Sequence, residues 1–131
     1  MSGPIVYVDR SQVAPGRLEE LRQYIARMAG LVEQSEAQLL VYEVYFDEQQ
    51  SQMTVIHVHR DSASLESHFK VVGPLFEQFT GLVELKAIDV YGRPDDDVLE
   101  RVRAKAALLG EGSVTVHEHH VGFIRAGGPS A

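Results

Sequence analysis

Strand-like runs and helical stripes follow one another along this chain, and their order restricts the fold more than any other feature. Ile5 to Asp9 is rich in β-branched and aromatic residues and follows Pro4, which reads as a first strand. After Pro15-Gly16, the residues Leu18, Leu21, Ile25, Met28 and Val32 recur at steps of three and four, so they form one apolar face of a helix. Leu39 to Phe46 is a second strand, Asp47 to Ser51 a short polar hairpin loop, and Met53 to Arg60 a third strand. Asp61 and Ser62 are candidate N-caps for a helix whose stripe is Leu65, Phe69 and Val72. Gly73-Pro74 interrupts it, and Pro74 to Phe79 reads as a second short helix at a new angle. Leu82 to Tyr91 is a fourth strand. The order β-α-β-β-α-β is the ferredoxin-like split βαβ arrangement of an α+β fold.

That core occupies residues 1–92, and residues 93–131 read as a helix-strand extension of the same domain. Asp95, Asp96 and Asp97 stand at a helix start, with Arg101, Arg103 and Lys105 toward its end and Gly110 at the stop. Val98, Val102, Ala106 and Leu109 supply the apolar stripe. Ser113 to Arg125 reads as a fifth strand, and Ala126 to Ala131 as a frayed end. A chain of 131 residues suits one domain with a real core.

Composition removes several classes of function. The net charge is −7, so no basic stripe is available for nucleic acid, which is not expected as a partner. There is no cysteine, hence no disulfide framework, thiolate metal site or cysteine nucleophile. Apolar runs are only a few residues long, so no membrane span is expected. Met1-Ser2-Gly3-Pro4 lacks the start of a signal peptide, and the expected location is cytoplasmic. The sequence contains no glycine-rich phosphate loop, G-x-S-x-G elbow or H-E-x-x-H motif.

In this order, Val13-Ala14-Pro15-Gly16, Tyr42-Glu43-Val44-Tyr45 followed by Asp47, Ser64-Leu65-Glu66-Ser67-His68-Phe69 and Asp89-Val90-Tyr91 form a set. Over roughly residues 5–92, the chain resembles the antibiotic biosynthesis monooxygenase (ABM)-like group of dimeric α+β barrels. The resemblance implies a homodimer whose sheets face one another, with a substrate pocket in each subunit. It implies an oxidoreductase, a monooxygenase using O2 and no cofactor on a quinol, anthrone or other small aromatic molecule of phenolic polyketide type. Other members degrade haem, isomerise small phosphorylated ketones or have no known activity. The haem-degrading branch relies on an Asn, a Trp and a His, where this chain offers Asp9, His68 and Gln78 and contains no Trp. Haem breakdown is therefore not expected.

Among candidate site residues, His68 lies three after Leu65 and four before Val72, on the apolar face of its helix. An imidazole there would point toward the sheet and has the pKa of a base for a phenol or enol proton. It would equally serve as a buried packing residue hydrogen-bonded to a carbonyl or Tyr. His57 and His59 share a strand face with Met53 and Val55, so both can join His68 around one cavity, or one can stand in water at the strand end. Asp9 shares the side of Ile5 and Tyr7, as a base, as a group orienting a histidine, or as a solvated strand-end residue. These four are the candidate catalytic residues. Tyr42 and Phe69 are candidate substrate-binding walls, with core packing as the simpler role. His117 and His119 form a second H-x-H pair beside His57 and His59; on neighbouring strands the two pairs could hold a divalent metal. The sequence thus supports a cofactor-independent monooxygenase. The alternatives are a non-catalytic binding or structural dimer of the same fold, and a metal-dependent enzyme.

Overall fold

The computed structural model describes residues 3–125. Its elements are β1 (Ile5–Val13), α1 (Leu18–Ser35), β2 (Val41–Phe46), β3 (Gln52–His59), α2 (Ser62–Val72), a 3-10 segment (Gly73–Phe79), β4 (Val83–Tyr91), α3 (Asp96–Leu109) and β5 (Ser113–His117). The five strands form one sheet in the order β2-β3-β1-β4-β5. The first four pair antiparallel, and β5 joins β4 parallel after the α3 crossover. The fold is α+β with a ferredoxin-like core, as the order of sequence patterns implied.

Strand alternation decides what faces the helices. Ile5, Tyr7, Asp9, Ser11 and Val13 of β1 are buried, as are Met53, Val55, His57 and His59 of β3. On β4 the buried set is Val83 and Leu85, then Ile88 and Val90. The change of phase follows a register shift: Arg10 pairs with Ala87 but Ser11 with Leu85, leaving one extra residue on β4. The bulge keeps apolar side chains on the inner face at both ends of the strand. Leu21, Ile25, Met28 and Val32 of α1 and Leu65, Phe69 and Val72 of α2 close over this face. Asp61 caps α2 by accepting from the Ser64 backbone N–H at 2.9 Å.

The fifth strand is shorter than the sequence suggested. It ends at His117, not Arg125, because its partner β4 ends at the paired residue Tyr91 and offers no further ladder. Residues 118–125 are described without regular structure, and Val121 and Phe123 stand exposed. The expected frayed end at residues 126–131 lies outside the described residues. Among the described residues, no helix is long and apolar enough to cross a membrane.

Candidate functional site

Strands β1 and β3 and helix α2 bring Asp9, His57, His59 and His68 to the inner face of the sheet, all buried. Asp9 is not the solvated strand-end residue that the sequence also allowed. His57 stacks on Tyr7 with ring centroids 4.1 Å apart, and Tyr42 lies along it at 5.7 Å. The His68 ring lies 4.5 Å from His57 and 5.7 Å from Tyr42. His57 Nδ1 and His59 Nε2 are 2.6 Å apart, and His59 Nδ1 is 2.8 Å from Ser64 Oγ. The α2 N-cap fixes Ser64, so the end of this hydrogen-bonded chain is set by local helix geometry.

Two polar pairs, one buried and one part-buried, flank the imidazoles. Glu36, one residue beyond α1, holds His68 Nδ1 through Oε2 at 2.9 Å. Lys105 of α3 donates to Asp9 Oδ2 and to the Tyr7 hydroxyl, each at 2.8 Å, and Tyr7 in turn donates to Asp9 Oδ2 at 2.8 Å. The Lys105 ammonium also lies over the rings of Tyr7 and Phe76, at 5.0 and 4.7 Å from their centroids.

Burial sets the protonation states. Desolvation, followed by the positive fields of His68, His59 and Lys105, pushes His57 well below the usual imidazole value. Burial and then His68 push His59 down to about 3. Desolvation, followed by the charge and hydrogen bond of Asp9, raises Tyr7 well above the usual phenol value. Burial, with Asp9 and Glu36 behind it, raises Tyr42. At neutral pH the site therefore holds two neutral imidazoles and two neutral phenols.

Between sheet and helices lies a chamber of about 30 Å³, room for a water molecule or two. Its polar lining is Asp9, Ser11, Tyr42, His57, His68 and Lys105. His59 stands behind His57 and does not line it. Phe69 does not line it either; it packs edge-on against Tyr7 and Phe76 as a core residue. The two H-x-H pairs are not neighbours, since β1 and β4 lie between β3 and β5. His117 stacks on Tyr91 and reaches Asp89 Oδ1 at 2.9 Å, so the four-imidazole arrangement does not form. Among the described residues, no group of three His, Cys, Asp or Glu is placed to hold a metal ion.

The sequence reading missed Glu36, Lys105 and the role of Tyr7. Spacing carried a signal for the first two. Glu36 continues the α1 stripe four residues after Val32, and Lys105 falls three after Val102 and four before Leu109. A charged residue on an apolar stripe is a candidate for a buried pair.

No family model and no curated protein sequence matches the chain. Solved structures do. MupZ from Pseudomonas fluorescens aligns over 98% of both chains at 19% identity, with a TM-score of 0.72. PA3566 from Pseudomonas aeruginosa aligns over 72% of this chain and 98% of its own, at 26% identity and a TM-score of 0.59. A Deinococcus radiodurans protein, named provisionally as an antibiotic biosynthesis monooxygenase, aligns over 70% of this chain and 93% of its own, at 19% identity and 0.59. The match to MupZ runs through the extension as well as the core. The chain therefore has the antibiotic biosynthesis monooxygenase-like fold, a ferredoxin-like α+β core carrying a helix-strand extension that MupZ shares.

Proposed function

We propose that the chain is a cofactor-independent monooxygenase of a small phenolic, quinol or polyketide-like substrate, with His68 as its base. The observation that carries this reading is the buried Glu36–His68 pair, whose imidazole lines the chamber. A carboxylate on Nδ1 fixes the ring, and the pair can accept a phenol or enol proton. The resulting anion is electron-rich enough to reduce O2; one oxygen atom enters the product as a carbonyl and the other leaves as water. His57 and Asp9 would assist, His57 as a neutral hydrogen-bonding partner and Asp9 paired with Lys105. His59 acts through His57. Substrate exceeds the chamber of this structure, so turnover requires a wall to open. The names of the structural neighbours and the acid–base groups on one cavity support this reading.

O2 uptake is the test. A panel of quinols and anthrones should be oxidised faster with protein than without, and His68→Ala should remove most of that rate. Equal rates with and without protein, or an unchanged rate in the variant, would exclude the assignment. A second reading is isomerisation by proton transfer without O2. It is favoured by two separate acid–base side chains on one chamber, His68 with Glu36 behind it and Asp9 beside Lys105, and turnover under anaerobic conditions distinguishes it.

In either reading the chain works as a homodimer. The open face of the sheet supports this, with Val6 and Val8 half-buried and Tyr45 and Tyr91 exposed. Light scattering that gives a monomer at every concentration would remove the dimer.

A further inference from the structure

The chamber beside His68 has room for water; a groove beyond Tyr42 has room for a ligand. The groove measures about 660 Å³ and runs between the second half of α1 and the segment entering β2. Ala29, Gly30, Leu39 and Leu40 form its walls. Tyr42 lines both groove and chamber, so it is the partition between them. Glu36 is shared in another way, lining the groove while holding His68 through Oε2.

The other carboxylate oxygen, Glu36 Oε1, is buried and has no hydrogen-bond partner. Leaving a buried acceptor unmet is costly, and groups of this kind mark places where a donor arrives. The groove carries no Lys, Arg or His, and Glu33 adds a second carboxylate to it. An anion is therefore repelled and a neutral donor favoured. Gly30 is a further sign. It stands within α1, yet a Cβ there would meet nothing within 4 Å. Packing within the chain does not require the glycine, and a side chain at that position would occupy the groove.

We propose that this groove binds the substrate: a small neutral molecule with an apolar body and a phenol or alcohol hydroxyl that donates to Glu36 Oε1. The proposal rests on the reading of Glu36–His68 as the proton-accepting pair, and it places the substrate on the α1 side of that pair. Because Oε1 is sealed from water, docking includes a small rotation of the Glu36 or Tyr42 side chain.

The test titrates the 15N-labelled full chain with 1-naphthol, 1-naphthoate and 1-methoxynaphthalene, following backbone amides by NMR. 1-Naphthol should shift Ala29, Gly30, Leu39 and Leu40, with the anion and the donor-less ether binding roughly tenfold more weakly. Glu36→Gln should weaken 1-naphthol binding by about the same factor, since a charged acceptor is lost. Gly30→Leu adds a side chain in open space and should abolish groove shifts without lowering the thermal midpoint; it decides the matter if Glu36→Gln does not fold. Naphthol shifts clustered away from the groove, naphthoate binding as tightly as naphthol, or unaltered binding in Gly30→Leu would each overturn the proposal. Naphthol held in the groove with no substrate turned over would overturn the monooxygenase reading and leave the groove standing.

Discussion

Mild acid will destabilise this protein through His57 and His59, and the size of the effect follows from their burial. In the unfolded chain each imidazole titrates near pH 6.5. Folded, His59 is depressed to about 3, and His57 is pushed well below its ordinary value. The unfolded state therefore binds these protons more tightly. Stability is whole above pH 6.5 and is lost as the pH falls from there toward the folded value. Each pH unit inside that window is worth up to 1.36 kcal/mol per group. From pH 7 to pH 5, His59 alone then removes about 2 kcal/mol, and His57 steepens the loss. The window stops above the range in which most carboxylates titrate, so the histidines dominate it. Urea denaturation at pH 7, 6 and 5 measures the loss. His59→Gln keeps a hydrogen-bonding side chain near Ser64 while removing the titration, and should flatten the profile by about 2 kcal/mol over the same range. A wild-type stability that does not change between pH 7 and 5, or a His59→Gln profile as steep as wild type, would refute the reasoning.

Lys105→Met removes the cation from a buried carboxylate while keeping the length of the side chain. Asp9 is 2% exposed and would retain only the Tyr7 hydroxyl, so the expected cost is about 3–5 kcal/mol in urea denaturation. Adding Asp9→Asn should recover part of it, and a loss below about 1 kcal/mol for the single variant would mean that the Lys105–Asp9 contact contributes little to the fold. Gly30→Ala, with open space for its Cβ, should stabilise the fold by about 0.5–1 kcal/mol, read as a raised thermal midpoint. A lowered midpoint would mean that α1 packs there against something the space does not show.

The core was legible because each of its elements buries one face. Leu21, Ile25, Met28 and Val32 had to lie together on a helix, and His57 and His59 had to share the Met53 and Val55 side of a strand. His68 was legible for the same reason. The length of β5 was not, because a strand ends where its partner ends, and that depends on Tyr91 in another element. Asp9 was ambiguous in the sequence: alternation gave its side of the sheet but not what covered it. Its cover is Lys105, ninety-six residues away; the α3 stripe marks Lys105 for burial but does not name its partner. Glu36 was overlooked because the α1 stripe was read only through its apolar members. Neighbouring strands for the two H-x-H pairs were the weakest expectation, since strand order is set by pairing across the whole sheet and not by the spacing of histidines.

The extension also bears on why the chamber exists. Asp9 lies on the buried side of β1, and among the described residues its one cationic partner belongs to α3. Lys105 and Leu109 both line the chamber, so one wall of it is extension. What holds α3 there is the return of the chain along β4. A Cβ at Gly110 would approach the Leu85 backbone to 2.8 Å, and one at Gly112 would approach the Leu85 and Lys86 backbone to 2.7 Å. The turn from α3 into β5 thus passes against β4 at a distance that only glycine tolerates, and Gly110 also adopts a φ of +153°. β5 then secures the turn by pairing along Ala87 to Tyr91. Packing, turn and strand act toward one result, the placement of an ammonium over a carboxylate on the inner face of β1. A core ending at Gly92 would leave Asp9 without its cation and the chamber without the wall that Lys105 and Leu109 supply.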